Sequence, residues 1–111
     1  MNWIDLTSEE EYSQIKQRSN SRPQVIFKHS TRCSISSMAK HRLEQAFAPG
    51  EMDFYHLDIL RHRNLSNQIA TDLDVWHESP QIIVIKNEVS VYDESHSGIR
   101  MEYITEHAEL S

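Results

Sequence analysis

The stretch Gln24-Val25-Ile26-Phe27-Lys28-His29-Ser30-Thr31-Arg32-Cys33-Ser34-Ile35-Ser36 decides how this chain is read. Val25, Ile26 and Phe27 are apolar in succession, the pattern of a strand buried on both faces, so a strand is expected over residues 25–28. The polar run that follows leads into a helix opening at Cys33. A thiol in the first turn of a helix meets unpaired backbone N–H groups and the positive end of the helix dipole, and both favour thiolate over thiol. Cys33 is therefore a candidate nucleophile. It is also the only cysteine in the chain. A thiol that attacks a disulfide needs a second thiol to complete the exchange, so any redox cycle must take its resolving thiol from another molecule.

Upstream of this stretch, Ser8-Glu9-Glu10-Glu11 has the form of a capping box, with Tyr12 and Ile15 following at helical spacing. A first helix over residues 8–18 is expected, broken by Ser19-Asn20-Ser21-Arg22-Pro23, and Trp3-Ile4 offers a short edge strand. Downstream, Ile35, Met38, Ala39, Leu43, Ala46 and Phe47 trace the stripe of a core-facing helix, with Lys40, Arg42 and Glu44 opposite and Pro49-Gly50 as the stop. Residues 52–57 then read as a strand, which makes strand, helix, strand a parallel crossover. Leu65, Ile69 and Leu73 predict a helix over 62–73. After a loop over 74–79 and Pro80, the run Gln81-Ile82-Ile83-Val84-Ile85-Lys86 is the most apolar in the chain. Val89-Ser90-Val91-Tyr92 completes a hairpin whose turn, Asn87-Glu88, lacks the usual glycine. Ile99, Tyr103 and Ile104 predict a last helix over 97–110 that covers the sheet.

Length and composition bound the function. A chain of 111 residues fits one domain, 1–111, with a core that needs no cross-links. Seventeen acidic residues against eleven Lys plus Arg give a formal charge of −6, with the basic residues scattered, which argues against nucleic acid as the main partner. No segment approaches the roughly 18 apolar residues of a membrane span, and the N-terminus lacks the basic-then-apolar form of an export signal. One cysteine excludes an internal disulfide framework and fits a reducing compartment, so a cytoplasmic location is expected. The two glycines, Gly50 and Gly98, stand alone, so the phosphate loop, the dinucleotide fingerprint and the nucleophile elbow are all missing.

The constellation that could carry chemistry is Cys33 after one core strand and Pro80 at the start of another. Proline at a strand entry gives up no ladder hydrogen bond and is either trans or cis. Around the thiol, Arg32 offers a positive charge, Ser36 a hydroxyl, and Ser34 and Ile35 complete the first turn. Thr31, Ser79, Pro80, His77 and His96 are the candidate substrate-binding residues. Each has a plainer reading: a buried small apolar residue for Cys33, solvated side chains for Arg32 and the loop histidines, a first-turn residue for Ser36. Seven histidines invite a metal, yet no His-x-x-x-His or Cys-x-x-Cys pair exists and His29 belongs to the strand exit, so no metal site and no tightly bound cofactor are expected.

Four segments together resemble the YtxJ family of monothiol, thioredoxin-like proteins, the bacilliredoxins: residues 28–36, Leu65-Ser66-Asn67-Gln68-Ile69-Ala70, His77-Glu78-Ser79-Pro80-Gln81, and Ser95-His96 followed by Ile99. The resemblance implies an α/β thioredoxin-like fold, a mixed sheet of four to five strands flanked by about four helices. It implies Cys33 as the active-site thiol, Pro80 as a cis-proline, and removal of bacillithiol from mixed disulfides on cytosolic proteins. Bacillithiol or another low-molecular-weight thiol is then the co-substrate, S-thiolated proteins are the partners, and a second small thiol or a partner reductase is expected to regenerate Cys33. The family commonly has proline directly after the cysteine, where this chain has Ser34, and tryptophan after the Ser-His pair, where it has Ser97. The other reading open at this point is a binding module, either a thioredoxin-like adaptor or a dimer holding an iron–sulfur cluster with one Cys33 per subunit.

Overall fold

The sheet is built around the strand that opened the reading. The computed structural model describes residues 1–46 and 50–110, with side chains through Ala108. Its elements run β1 (Trp3–Asp5), α1 (Glu9–Arg18), β2 (Gln24–His29), α2 (Ser34–Gln45), β3 (Asp53–Asp58), α3 (Arg63–Leu73), β4 (Gln81–Lys86), β5 (Val89–Ser95), a 3-10 turn (His96–Gly98) and α4 (Met101–Leu110). The five strands lie in the order β1-β3-β2-β4-β5. β3 is parallel to both β1 and β2, whereas β4 runs antiparallel to β2 and β5 antiparallel to β4. This is the expected mixed α/β sheet with four helices.

Every residue of β2 is buried, because the strand is central and both its faces are covered. Ile26 shares one apolar layer with Tyr12 and Ile15 of α1, Ile69 of α3 and Ile83 of β4. Val25 and Phe27 belong to the opposite layer, with Ala39 and Leu43 of α2, Ile82 and Val84 of β4, and Ile104 of α4. Each such aliphatic side chain removed from water contributes about 1.5–3 kcal/mol before chain entropy is set against it.

At α1 one half of the expected capping box forms, with Ser8 Oγ accepting the Glu11 amide at 3.2 Å, while the Glu11 carboxylate reaches past the cap to accept the Thr7 amide at 2.9 Å. The glycine-free hairpin turn places Asn87 and Glu88 at φ 54° and 69°. Tertiary contacts hold these left-handed residues: the Asn87 amide donates to the Ser19 carbonyl and the Glu88 amide to Ser19 Oγ, both at 2.9 Å. Asn20 donates to the Glu88 carboxylate as well.

Two expected helix stripes are corrected. In α2 the inward residues are Ser36, Ala39 and Leu43, whereas Ile35 and Met38 are 54% and 65% exposed. Each of these two precedes an inward residue by one position and so points about 100° away from it around the helix. Ala46 packs partly against the core, and Phe47 and Pro49, expected at the end of the stripe and as its stop, lie outside the described residues. In α4 the helix starts at Met101 rather than at residue 97, so Ile99 precedes it and Tyr103 faces outward, while Met101, Ile104 and Ala108 are buried. The delay has a cause in α2. Arg42, placed by its spacing on the polar face, donates from Nε to the Ile99 carbonyl at 2.9 Å and from Nη2 to the His96 carbonyl at 3.2 Å, drawing both carbonyls toward its guanidinium.

Candidate active site

β2 ends at His29, and the turn over residues 30–32 delivers Cys33 to the N-cap of α2 with extended backbone, φ −107° and ψ 121°. The Cys33 amide donates to the Ser30 carbonyl at 3.0 Å, and the Cys33 carbonyl accepts the Ser37 amide as the first helical bond. Ser36 is fully buried, and its Oγ accepts the Ser30 amide at 3.4 Å, which ties the turn to the helix. The thiol is partly exposed. It makes no closed capping bond, yet the Ser36 amide first, then the Ile35 amide, and to a smaller extent the Ser36 hydroxyl hold its pKa below the ordinary thiol value against a small opposing effect of burial. Thr31, Arg32 and Ser34 are exposed in the turn and first turn of the helix. Arg32 is not among the groups that lower the thiol pKa.

The second loop leaves the same end of the sheet from the neighbouring strand, since Lys28 of β2 pairs with Gln81 of β4. The Ser79–Pro80 peptide is cis, and Pro80 is buried. Its carbonyl accepts the His96 amide at 3.1 Å, which sets the turn after β5 beside the proline, with His96 itself exposed at φ 55°. Ser79 Oγ is enclosed and has no hydrogen-bond partner among the described residues. Gln81, read from sequence as the first residue of an apolar strand, proves to organise the loop. It is buried, donates from Nε2 to the Trp76 carbonyl at 2.8 Å and accepts the Glu78 amide at 3.4 Å. Trp76 is left 85% exposed.

Behind this loop lies a residue the sequence reading did not single out. Lys28 is fully buried, and its Nζ donates to the Ser66 carbonyl at 3.1 Å and lies 3.2 Å from His77 Nδ1. Burial pushes its pKa down to about 8. His77 is held below the usual imidazole range by burial first, then by Lys28 and Arg63, with Glu78 acting in the opposite sense. The available signal was a lysine inside a strand otherwise apolar on both faces. On the other face of β2, His29 Nδ1 meets His56 Nε2 at 2.6 Å, and burial lowers the pKa of both rings. Among the described residues no group of three or more His, Cys, Asp or Glu could hold a metal ion. No helix among them is long and apolar enough to cross a membrane.

A mixed five-stranded sheet, a lone cysteine capping α2 and a cis-proline at the entry to the antiparallel strand define a thioredoxin fold with a single-thiol site. A protein described as a candidate oxidoreductase with a thioredoxin fold superimposes with a TM-score of 0.82 at 29% identity, over 94% of this chain and 91% of that one. Malassezia sympodialis thioredoxin matches with a TM-score of 0.78 at 16% identity, over 96% and 91% of the two chains. Thioredoxin from Trypanosoma brucei brucei matches at 0.77 and 12%, over 97% and 88%. The family model of the monothiol bacilliredoxin BrxC matches residues 4–104, and the chain belongs to that family of thiol oxidoreductases.

Proposed function

We propose that the protein removes a low-molecular-weight thiol, bacillithiol, from mixed disulfides on client proteins of the cytoplasm. The observation that carries the reading is the partly exposed, solitary Cys33 at the N-cap of α2, with the Ser36 and Ile35 amides favouring its thiolate. The Cys33 thiolate attacks the sulfur of the small-thiol half of the client disulfide. The client sulfur leaves as a thiolate and takes up a proton from water, and Cys33 now carries the small thiol as a new disulfide. With no second cysteine in the chain, a free small thiol or a partner reductase attacks that disulfide and restores Cys33.

The cis-Pro80 loop is proposed to receive the incoming disulfide, with Ser79, His77, His96 and Thr31 around it. The departure at Ser34 bears on the helix start and the thiol potential, and that at Ser97 on one wall of the site. The test is direct. The protein is incubated with a client peptide carrying bacillithiol, or glutathione for comparison, and intact mass is followed. Transfer of the bacillithiol adduct to Cys33 is expected. An unmodified Cys33 alongside an intact client adduct would overturn the reading.

A further inference from the structure

Lys28 is the one lysine or arginine that the described residues enclose completely, and among them no carboxylate lies within ion-pair distance of it. An ammonium without a counter-charge is an expensive occupant of an apolar strand, where a methionine would pack without penalty. Its two contacts show what it organises. One is the Ser66 carbonyl, and the other is His77 Nδ1.

An ammonium has only hydrogens to offer, so facing it Nδ1 presents its lone pair and the imidazole proton resides on Nε2. The Ser66 hydroxyl, 3.4 Å from the same Nδ1, is able to donate to that lone pair as well. His77 Nε2 makes no hydrogen bond within the described residues, and it is not among their enclosed unpartnered polar atoms, which are His29 Nε2 and Ser79 Oγ. Its N–H is therefore open to an external acceptor. The ring stands three residues before cis-Pro80, in a loop that Gln81 ties down.

We propose that Lys28, assisted by Ser66, is a positioning residue that holds His77 as a neutral imidazole with its proton on Nε2, and that this N–H donates to a carboxylate or carbonyl oxygen on the small-thiol half of the disulfide substrate. The second half of this statement rests on the reading of the cis-Pro80 loop as the docking place. The charges that face His77 agree with a neutral ring: Lys28 from β2 and Arg63 from α3 oppose protonation, and only Glu78, its neighbour in the loop, favours it.

Nitrogen-15 NMR of the imidazoles, assigned with a His77→Leu variant, tests the lock without any substrate. The wild-type protein is expected to show His77 with a protonated Nε2 and a bare Nδ1. In Lys28→Met and Lys28→Gln its titration is expected to move up by about one pH unit as the neighbouring charge is removed. An Nδ1–H tautomer, or a titration unmoved in both variants, would overturn the lock.

The donor role is read from KM in bacillithiol transfer. His77→Leu should raise KM about fivefold, the value of one hydrogen bond, with the Cys33 alkylation rate unchanged, while His77→Gln, whose amide N–H can replace Nε2–H, should recover most of the loss. An unchanged KM in His77→Leu would overturn the donor. If the wild-type protein transfers no adduct, the functional reading and the donor fall together, while the nitrogen spectra still decide the lock.

Discussion

The thiol loop and the proline loop leave adjacent strands at one end of the sheet and are built in opposite ways. The thiol loop is closed by contacts within a few residues, the Cys33 amide on the Ser30 carbonyl and the Ser30 amide on Ser36 Oγ, and its chemistry comes from the N–H groups of its own helix. The proline loop is tied locally by Gln81 but also held by groups distant in sequence: His77 meets a lysine 49 residues earlier, and the Pro80 carbonyl meets the turn after β5. The difference teaches that reactivity at this site is a local property of a helix start, whereas the surroundings that would select a substrate are assembled by the tertiary fold.

Substitutions that strike one loop and spare the other separate the two. The largest effect is expected from Cys33→Ser, which removes the nucleophile: adduct capture should fall to background by intact mass, while the melting temperature stays within a few degrees of wild type.

Gln81→Leu should do the reverse. It removes the two bonds that Gln81 makes to the Trp76–Glu78 segment, and a loss of about 2–3 kcal/mol is expected in urea unfolding with the Cys33 alkylation rate unaltered.

Lys28→Met is expected to stabilise the protein by about 1–3 kcal/mol near pH 7, since it relieves a buried charge. The sign can be checked against pH. The Lys28 pKa is about 8 in the folded protein against 10.5 in the open chain, so below pH 8 both states hold the proton and the full penalty stands. Between about 8 and 10.5 the folded protein binds fewer protons than the unfolded chain, so wild-type stability should rise with pH and the advantage of the variant should shrink. Parallel stability curves for the two proteins across that window would contradict the burial of a charged Lys28.

The smallest effect returns to the thiol loop. Ser36→Ala keeps the amide that lowers the thiol pKa and loses only the hydroxyl. Alkylation, which rises with pH as the thiolate forms, should reach its plateau at a higher pH than in wild type and be about two- to fivefold slower at pH 7. An unchanged pH profile would leave the amides as the only stabilisers.

Much of this was legible in the sequence because it rests on local rules. The capping box before α1, the apolar run of β2, the strand-to-helix junction at Cys33 and the proline at the entry to β4 each follow from backbone hydrogen bonding and side-chain periodicity over fewer than ten residues. Family segments carried the cis peptide further than spacing alone allowed. The misreadings share a cause: an apolar stripe says that a helix has an inward face but not which of two adjacent residues points inward. Of the stripe Ile35, Met38, Ala39 and Leu43, the packing keeps Ala39 and Leu43, turns Ile35 and Met38 outward and buries Ser36 instead. Arg42, Gln81 and Lys28 looked like a surface charge, a strand residue and a strand end, because the carbonyls and ring nitrogen they bind are contributed by other segments.

By itself, then, the sequence determined that one thiol stands at the start of a helix after a central strand, and that no second thiol in the chain can resolve it, because both are facts of composition and local backbone geometry. Only the tertiary structure decided what stands around that thiol: a cis-proline loop pinned by Gln81 and by the His96 amide, and a histidine held against an enclosed lysine. The reason is physical. A buried polar group must find its partners wherever the fold brings them, and here those partners come from β2, α3, β4 and the turn after β5.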